Sequence, residues 1–520
     1  MLLSILSGFL IGTSYIPFPI WTSLFALVPL WYYWLNNSNN LKKVLISGFI
    51  AQFLLSVIGF HWISLTVMEF GQMPFWAGLI VLVLFASSQN IYFMFPGLLL
   101  HFLNRRNSIS KSKQIITLVL SMIVFESFFP KLFDWNFGYT WITSGTPIFQ
   151  VAEWIGFIGL SFLGFCCNGW ITFHLHNGLS RLHLMKAFIP PVVFFSLLGL
   201  TGYIAKQNLA KPNKSVNIGV VQANIGNFEK IAAENGGEFR SQIYTEYFQL
   251  SAKLANEERP DLFLWPETAY PDNLQEWART GRHQRNLKNF VLDFRIPLLT
   301  GAYSEATDEN EYYNGFFAID AKGEVVGEYR KSHLLAFGEY FPGSHFFPKI
   351  KEWIPAVSHF SRGNGPTALT LRGIKFGPQI CYEGLYPEFS SGLARKGAQI
   401  IVNVTNDSWF GHSFESQQHL YMTLARAIET RRPLIRATNT GITAAILADG
   451  TLLDLSPEKV EWIHNYEIPY DSNPKVTFHS KYGVYLPYLL LLVWFFLVGK
   501  WGRILQKVDP TSVQENMDRN

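Results

Sequence analysis

Cysteine and charge are the two things this chain has little of. It contains 3 cysteines in 520 residues. Cys166 and Cys167 are adjacent within an apolar run and Cys381 stands alone, so there is no disulfide framework and the fold must hold without covalent staples, even outside the cytoplasm. Charged residues make up 15% of the chain, well under the ~25% of a soluble domain. A formal net charge of +4 is small for this length and points to no nucleic-acid or acidic partner. There is no Walker A phosphate loop, no His-Glu-x-x-His helix and no Cys-x-x-Cys pair, so no nucleotide, metal or other cofactor is expected. The first apolar stretch lacks a basic n-region and an Ala-x-Ala site, and reads as a retained helix, not a cleaved signal peptide.

What the chain does have is apolar and aromatic surface, with 45 Phe and 16 Trp, the composition of a lipid-facing protein. Apolar segments near 2–15, 19–35, 44–67, 74–103, 114–129, 151–173 and 187–205 read as seven membrane helices, the first and fifth short for a ~30 Å hydrocarbon core. Lys42, Lys43, Arg105, Arg106, Lys111, Lys113, Arg181 and Lys186 follow the even-numbered segments, while the loops between them are nearly free of Lys and Arg. By the positive-inside rule the N-terminus and even loops are cytoplasmic, and the segment after the seventh helix lies outside. A last apolar run at 484–498 returns the chain, with Lys500, Arg503 and Lys507 anchoring its end inside. The expected division is a membrane domain at 1–205, a hinge at 206–215, a soluble domain at 216–475, an eighth helix at 484–500 and a cytoplasmic tail at 501–520. Glu126, Glu153, His61 and His101 sit near predicted helix ends, where they can snorkel to the headgroups.

Alternation replaces continuous apolarity at Val216. Val216–Asn224 reads as a strand, 239–255 as a helix and 261–265 as a buried strand. Next comes a helix at 273–295 with Asn273 as N-cap. Strands follow at 296–303, 314–320, 325–329 and 368–371, then 399–404, with a long helix at 415–431 and closing strands at 434–438, 444–448 and 451–453. Strands and helices in alternation imply helices on the outer faces of stacked sheets.

Three stretches in this domain carry chemistry. Gly377-Pro378-Gln379-Ile380-Cys381-Tyr382-Glu383 is a buried strand that delivers a cysteine to a turn. Pro387 is placed to start a helix just beyond, which would lower the thiol's pKa. Leu262-Phe263-Leu264-Trp265-Pro266-Glu267-Thr268 is a buried strand ending in a carboxylate. Tyr329-Arg330-Lys331-Ser332-His333-Leu334, followed by Phe337-Gly338-Glu339-Tyr340-Phe341-Pro342, supplies a lysine and a second carboxylate. A thiol attacking an ester needs a base, for which Glu267 is the candidate, and the tetrahedral oxyanion needs a fixed positive partner, for which Lys331 is the candidate.

Glu267, Lys331 and Cys381, in that order, resemble the Glu-Lys-Cys triad of the nitrilase (carbon–nitrogen hydrolase) superfamily. The four strings together resemble its membrane-embedded branch, the apolipoprotein N-acyltransferases. The resemblance implies an α-β-β-α sandwich beside about eight transmembrane helices. It also implies Cys381 as nucleophile, Glu267 as proton acceptor and Lys331 as oxyanion stabiliser, with Glu339, Tyr382 and Glu383 in support. The implied reaction moves an acyl chain from a phospholipid, typically phosphatidylethanolamine, onto the cysteine as a thioester. From there it passes to the α-amine of the S-diacylglyceryl-cysteine that begins an apolipoprotein. The implied setting is the inner membrane of a Gram-negative bacterium, with the soluble domain in the periplasm. Asn314 looks like the family's usual Asn near its strand and is assigned a structural role. The family's Trp in the loop after the first strand is missing, and Phe228 is the candidate to fill its space.

Two further readings concern the membrane surface. Residues 345–355, with Phe347 and Trp353, and the Ser408-Trp409-Phe410 stretch are expected to form a lid or arms in contact with the membrane. Phe133-Asp134-Trp135-Asn136-Phe137-Gly138-Tyr139 is expected to face the site from the outer side. Two rival functions fit part of the pattern. A membrane-tethered nitrilase-type amidohydrolase would use the same triad with water as acceptor, but a single anchor would suffice for it. A non-catalytic lipid carrier would have no need of the three triad residues.

Overall fold

The computed structural model describes every residue except 17–22, 70, 72, 107–108, 227–236, 275–281, 306–311, 337, 341–359, 412 and 504–520. The N-terminal region is helical: α1 (Leu2–Gly12), α2 (Val28–Asn37), α3 (Leu41–Gly59), α4 (Trp62–Glu69), α5 (Phe75–Ser88), α6 (Phe95–Arg106), α7 (Lys111–Phe128), α8 (Ala152–Asn177) and α9 (Arg181–Gln207). Among the described residues, 3 helices are long and apolar enough to cross a bilayer: α3, α8 with the turn that precedes it, and α9. A bent pair, Phe75–Ser88 with Ile91–Arg105, makes a fourth if its 42° bend is taken as one span.

This is fewer than the eight spans expected, and the reasons are local. The segment at 44–67 breaks after Gly59 into α3 and the short α4. The segments at 2–15 and 484–498 form short apolar helices, Leu2–Gly12 and Gly483–Gly499. The segment at 114–129 falls within α7, which carries Lys111, Lys113 and Glu126 in its 18 residues. The expected snorkelling of Glu126 and His101 is also corrected. Both are fully or almost fully buried, with Glu126 Oε1 accepting from Phe137 N at 2.9 Å and His101 Nδ1 lying 2.6 Å from Ser38 O.

The second half builds thirteen described strands: β1 (Lys214–Gln222), β2 (Leu262–Leu264), β3 (Tyr270–Asn273), β4 (Leu298–Glu305), β5 (Tyr312–Ile319), β6 (Val325–Arg330), β7 (Leu369–Leu371), β8 (Ile374–Ile380), β9 (Ile400–Thr405), β10 (Leu434–Thr438), β11 (Ala444–Ile446), β12 (Leu452–Leu453) and β13 (Trp462–Tyr470). One sheet runs β13-β1-β2-β4-β5-β6, with β3 also paired to β4, and the other runs β12-β11-β10-β9-β8-β7. β1, β2 and β4 are mutually parallel, as are β8, β9 and β10. Parallel strands need crossovers, and the helices that supply them cover the outer faces.

Side-chain alternation sets the layers. Ile218, Val220, Leu262 and Leu264 join Ile400, Val402 and Val404 in one core. Their neighbours Val221, Phe263 and Trp265 pack in a second core with Ile243, Tyr247, Leu287 and Val291, which lie on the helices Gly237–Glu257 and Arg282–Phe294. With a period of two, each strand thus fills the space between the sheets on one face and binds a helix on the other. The helices Pro387–Arg395 and Glu415–Thr430 cover the second sheet, giving an α-β-β-α sandwich. Asn273 ends β3 and caps no helix, because its chain pairs with β4.

The helix Glu415–Thr430 joins the two halves. All of it is buried except Gln417 and Tyr421, since one face lies on the sheet and another on α8. Gln418 accepts from Trp62 Nε1 at 3.1 Å and donates to the carbonyls of Ile16 and Gly59 at 2.9 Å each. Phe157 N donates to Glu429 at 3.1 Å, and Arg431 pairs with Glu153 at 2.6 Å. Gly156 kinks α8 at φ 66°, and a Cβ there would lie 2.5 Å from the His479 ring.

Candidate active site

Each of the three triad candidates sits just beyond a strand, and the sandwich brings two of them into direct contact. Glu267 follows β2 by way of Trp265 and Pro266. Gly301 of β4 passes so close that a Cβ would lie 2.7 Å from Glu267 Cα. Lys331 follows β6, and its backbone N donates to Asn314 O at 2.8 Å. Its ammonium lies 2.8 Å from Glu339 Oε1 and 3.3 Å from Glu267 Oε1. Asn314 Nδ2 lies 2.7 Å from Glu267 Oε1 and 3.1 Å from Glu339 Oε1, bridging the two carboxylates. The other oxygens are also held, Glu267 Oε2 by Asn406 N at 2.9 Å and Glu339 Oε2 by Leu335 N at 2.8 Å. Burial works against the Lys331 charge, but Glu267, Glu339 and Cys381 together outweigh it and hold the ammonium's pKa well above its ordinary value. Asn314 thus does more than the structural task assigned to it.

Cys381 follows β8 at the start of a 3₁₀ turn, Cys381–Leu385, with φ 54°. A non-glycine residue in the left-handed region costs about 1–3 kcal/mol and persists only where its surroundings fix it. Here Glu383 fixes it. Glu383 Oε2 accepts from Ile380 N at 2.9 Å. Its Oε1 accepts from Tyr329 Oη at 2.6 Å, Ser332 N at 2.7 Å and His333 N at 3.1 Å. One carboxylate therefore ties the cysteine turn to the segment that carries Lys331. Asn403 Nδ2 donates to Cys381 O at 3.1 Å.

The thiol differs from the expectation in its electrostatics. Burial raises its pKa well above the ordinary value, Glu267 and Glu339 raise it further, and Lys331 opposes them. The helix expected to activate it begins only at Pro387, beyond the 3₁₀ turn. At rest the group is a neutral thiol, and ionisation must accompany proton removal.

Tyr382 reaches into a buried polar cluster. Its hydroxyl donates to Glu415 Oε1, and its ring stacks on His419 at 4.6 Å and meets Phe133 at 5.5 Å. Asp407 is held near pKa 2 because Arg436 and His419 outweigh its burial. Burial raises Glu415 well above the carboxylate range. Donor atoms of Asp407, Glu415 and His419 lie within 4.8 Å of one another. Asp407 accepts from Arg436 Nη2 at 2.7 Å and Glu415 Oε1 from Tyr382, whereas Glu415 Oε2 and His419 Nε2 are buried without a hydrogen-bond partner among the described residues. From the sequence, arms are expected at 408–410 and a helix at 415–431 here, and Asp407, Glu415 and His419 are assigned no role. The signal that could have found the cluster is Arg436, a charge inside the apolar strand β10 that requires a buried partner.

The surroundings partly match expectation. Phe133 meets both Tyr382 and Trp62, at 5.5 and 5.0 Å, so the start of the 133–139 stretch packs beside the cysteine turn, while Phe137 and Tyr139 pack on Phe165 and Phe157. Phe410 is not an exposed arm. It is buried, with its ring 5.3 Å from Trp62 and 5.9 Å from Tyr382, because α4 packs on the turn Asp407–Phe410. Trp409 belongs to that turn, and its side chain lies outside the described set. Phe347, Trp353 and Phe228 lie outside the described residues. Among the described residues a cavity of about 90 Å³ lies between Leu132–Asp134, His333–Ala336 and Tyr382.

A buried Glu-Lys-Cys constellation at the strand ends of an α-β-β-α sandwich defines a carbon–nitrogen hydrolase domain. Residues 217–471 match the carbon-nitrogen hydrolase family, and residues 7–170 match the apolipoprotein N-acyltransferase N-terminal domain. The chain is 41% identical over 514 residues to an apolipoprotein N-acyltransferase of Bdellovibrio bacteriovorus, spanning 96% of this chain and 93% of that one. It is 28% identical over 493 residues to one of Geobacter metallireducens, spanning 93% and 91%. A carbon-nitrogen hydrolase structure from Helicobacter pylori aligns at 16% identity and TM-score 0.38, covering 56% of this chain and 99% of that one. The chain belongs to the apolipoprotein N-acyltransferase family and is an acyltransferase.

Proposed function

We propose that this acyltransferase moves an acyl chain from a membrane phospholipid, such as phosphatidylethanolamine, to the α-amine of the S-diacylglyceryl-cysteine that begins an apolipoprotein. Cys381 Sγ attacks the ester carbonyl while Glu267 takes the thiol proton. A tetrahedral oxyanion forms beside the Lys331 ammonium, then the C–O bond breaks and Glu267 returns the proton to the departing lysophospholipid. In the second half the amine attacks the thioester carbonyl, the C–S bond breaks, and the amine's proton passes through Glu267 to the Cys381 thiolate. No nucleotide is required, because the thioester carries the driving force. Glu339 and Asn314 position Lys331 and Glu267, while Glu383 and Tyr382 hold the turn.

The observation that carries this reading is a buried thiol on a strained turn, its pKa held up by burial, with Glu267, Lys331 and Glu339 acting on its charge and in contact with one another. A thiol in that state reacts only when a base removes its proton during attack, which suits an ester donor bound in place. The basic residues at the start of α3, at the end of α6 and start of α7, and in the first turns of α9 support placing the sandwich on the periplasmic side of a Gram-negative inner membrane, with both termini inside. The test is to incubate the protein with vesicles of phosphatidylethanolamine carrying a radioactive acyl chain, then digest and locate the label. Label on the Cys381 peptide, released by hydroxylamine and transferable to a diacylated lipopeptide, is the expected result. A Cys381 that never acquires label, or label released only to water when the lipopeptide is present, rejects the reading.

A further inference from the structure

A large cavity lies far from Cys381. It is a crevice of about 820 Å³ between the start of α8, the end of α9 and the edge of the sandwich. Arg431 lines it at the far end of the helix whose His419 lies under Tyr382. Twelve helical residues separate the two, about 18 Å at ~1.5 Å per residue, so the crevice does not belong to the active site.

Its level relative to the membrane is marked by aromatic residues. Trp154 at the start of α8 and Phe478 line the crevice and are exposed. Tyr482, Tyr485 and Tyr488, just after Phe478, are exposed as well. Aromatic side chains left bare at one end of apolar helices collect at the headgroup layer. Ile204 adds an exposed apolar contact from α9.

The charges in the crevice are mostly paired. Lys206 meets Asp449 at 2.9 Å, and Arg431 meets Glu153 at 2.6 Å. Asp471 accepts from Asn473 N at 2.9 Å. Arg432 donates to the carbonyls of Pro474 and Lys475 at 3.1 and 3.0 Å, fixing the backbone that carries Lys475. Two lysines that line the crevice, Lys211 and Lys475, are exposed and have no ion-pair partner among the described residues. Two free ammonium groups above an apolar floor, at headgroup depth, are complementary to a phosphate carried on acyl chains.

We propose that this crevice holds an anionic phospholipid. Its headgroup phosphate lies against Lys211 and Lys475, and its acyl end lies along Trp154, Ile204 and Phe478. The bound lipid is distinct from the acyl donor and seals the joint where the sandwich meets α8 and α9.

The full-length protein, purified in mild detergent, is reconstituted separately with phosphatidylglycerol and with phosphatidylethanolamine and examined by native mass spectrometry and thermal unfolding. One phosphatidylglycerol per chain is expected to survive, with a higher Tm than in phosphatidylethanolamine. The double variant Lys211→Gln with Lys475→Gln is expected to reduce its retention about tenfold or more, and raised salt to do the same. The variant Lys42→Gln with Lys43→Gln, at the start of α3, is expected to retain it, which separates a local site from general charge loss. Equal retention of both lipids by the wild type overturns the proposal, as does unchanged retention in the Lys211 and Lys475 variant. So does a Tm rise with inorganic phosphate alone as large as that with phosphatidylglycerol.

Discussion

At the scale of single residues, the chemistry rests on how the Cys381 proton is held. Burial and two carboxylates keep the thiol protonated, with Lys331 as the opposing charge. Alkylation of Cys381 by iodoacetamide, followed by mass spectrometry of its peptide, should therefore be slow at neutral pH and rise as the pH is raised. Glu267→Gln removes one of the charges that raise the thiol's pKa and leaves the ammonium. The midpoint of alkylation should then move to lower pH even as acyl transfer is lost, and a midpoint that stays or rises contradicts the electrostatic account. Asn314 is the second case. Its amide is the neutral donor shared by two carboxylates. Loss of a hydrogen bond to a charged group costs about 1.5–3 kcal/mol, so Asn314→Leu should lower kcat/KM by about 10- to 100-fold, with Cys381 still titratable by alkylation. A loss of less than twofold would show that the bridge is incidental. Glu267, Lys331 and Cys381 were legible because each closes a recognisable string of its own. Asn314 and Arg436 were not, because their partners lie on other strands and only the register of β5 and β10 brings them together.

At the scale of elements, the site is two strand-end segments clipped together by Glu383. That carboxylate joins the turn after β8 to the end of β6 and the segment beyond it through four hydrogen bonds, with the Ser332 hydroxyl adding a fifth at 3.1 Å. Glu383→Ala leaves three backbone N–H groups without their acceptor, the buried Ile380 N at about 1–3 kcal/mol and the part-buried Ser332 N and His333 N at less. It should lower kcat/KM by at least 100-fold, whereas Tyr329→Phe, which removes one of the five, should cost less than tenfold. Comparable losses in steady-state assays would mean that Tyr329, not the carboxylate clamp, controls the turn. The same scale explains what the sequence concealed about the helices. Strand alternation is a local property, so the sandwich could be read from residues two apart. Whether a long apolar segment continues as one helix depends on breaks such as Gly59-Phe60-His61 and Gln89-Asn90, which hydropathy averages over. The two-sided burial of Glu415–Thr430 was hidden for a related reason. Its sequence is amphipathic enough to pass for a surface helix, and its polar side is buried against another domain.

At the scale of the whole molecule, the membrane bundle serves as a structural partner of the sandwich as well as its anchor. A soluble hydrolase of this fold could leave the outer face of its covering helix in water, but here that face meets α8. Its contacts include Gln418 on the carbonyls of Ile16 and Gly59, Arg426 on Tyr139 and Glu429 on Phe157 N. Removing the bundle would strip Phe133 from Tyr382 and Trp62 from Phe410, baring those buried rings, and would leave buried Gln418, Arg426 and Glu429 without their bundle partners. An exposed apolar patch of that kind promotes association, and the turn that carries Cys381 would lose support from beneath. A fragment spanning 214–475, expressed alone, should therefore aggregate or bind detergent. Even when kept in solution, it should fail to form an acyl-enzyme with short-chain esters that the full chain accepts. A monomeric fragment on size-exclusion chromatography that labels Cys381 at the full-length rate would show that the bundle only tethers the domain. The expected failure would mean that the apolar helices, besides gathering lipid substrates, form the floor on which the thiol is held.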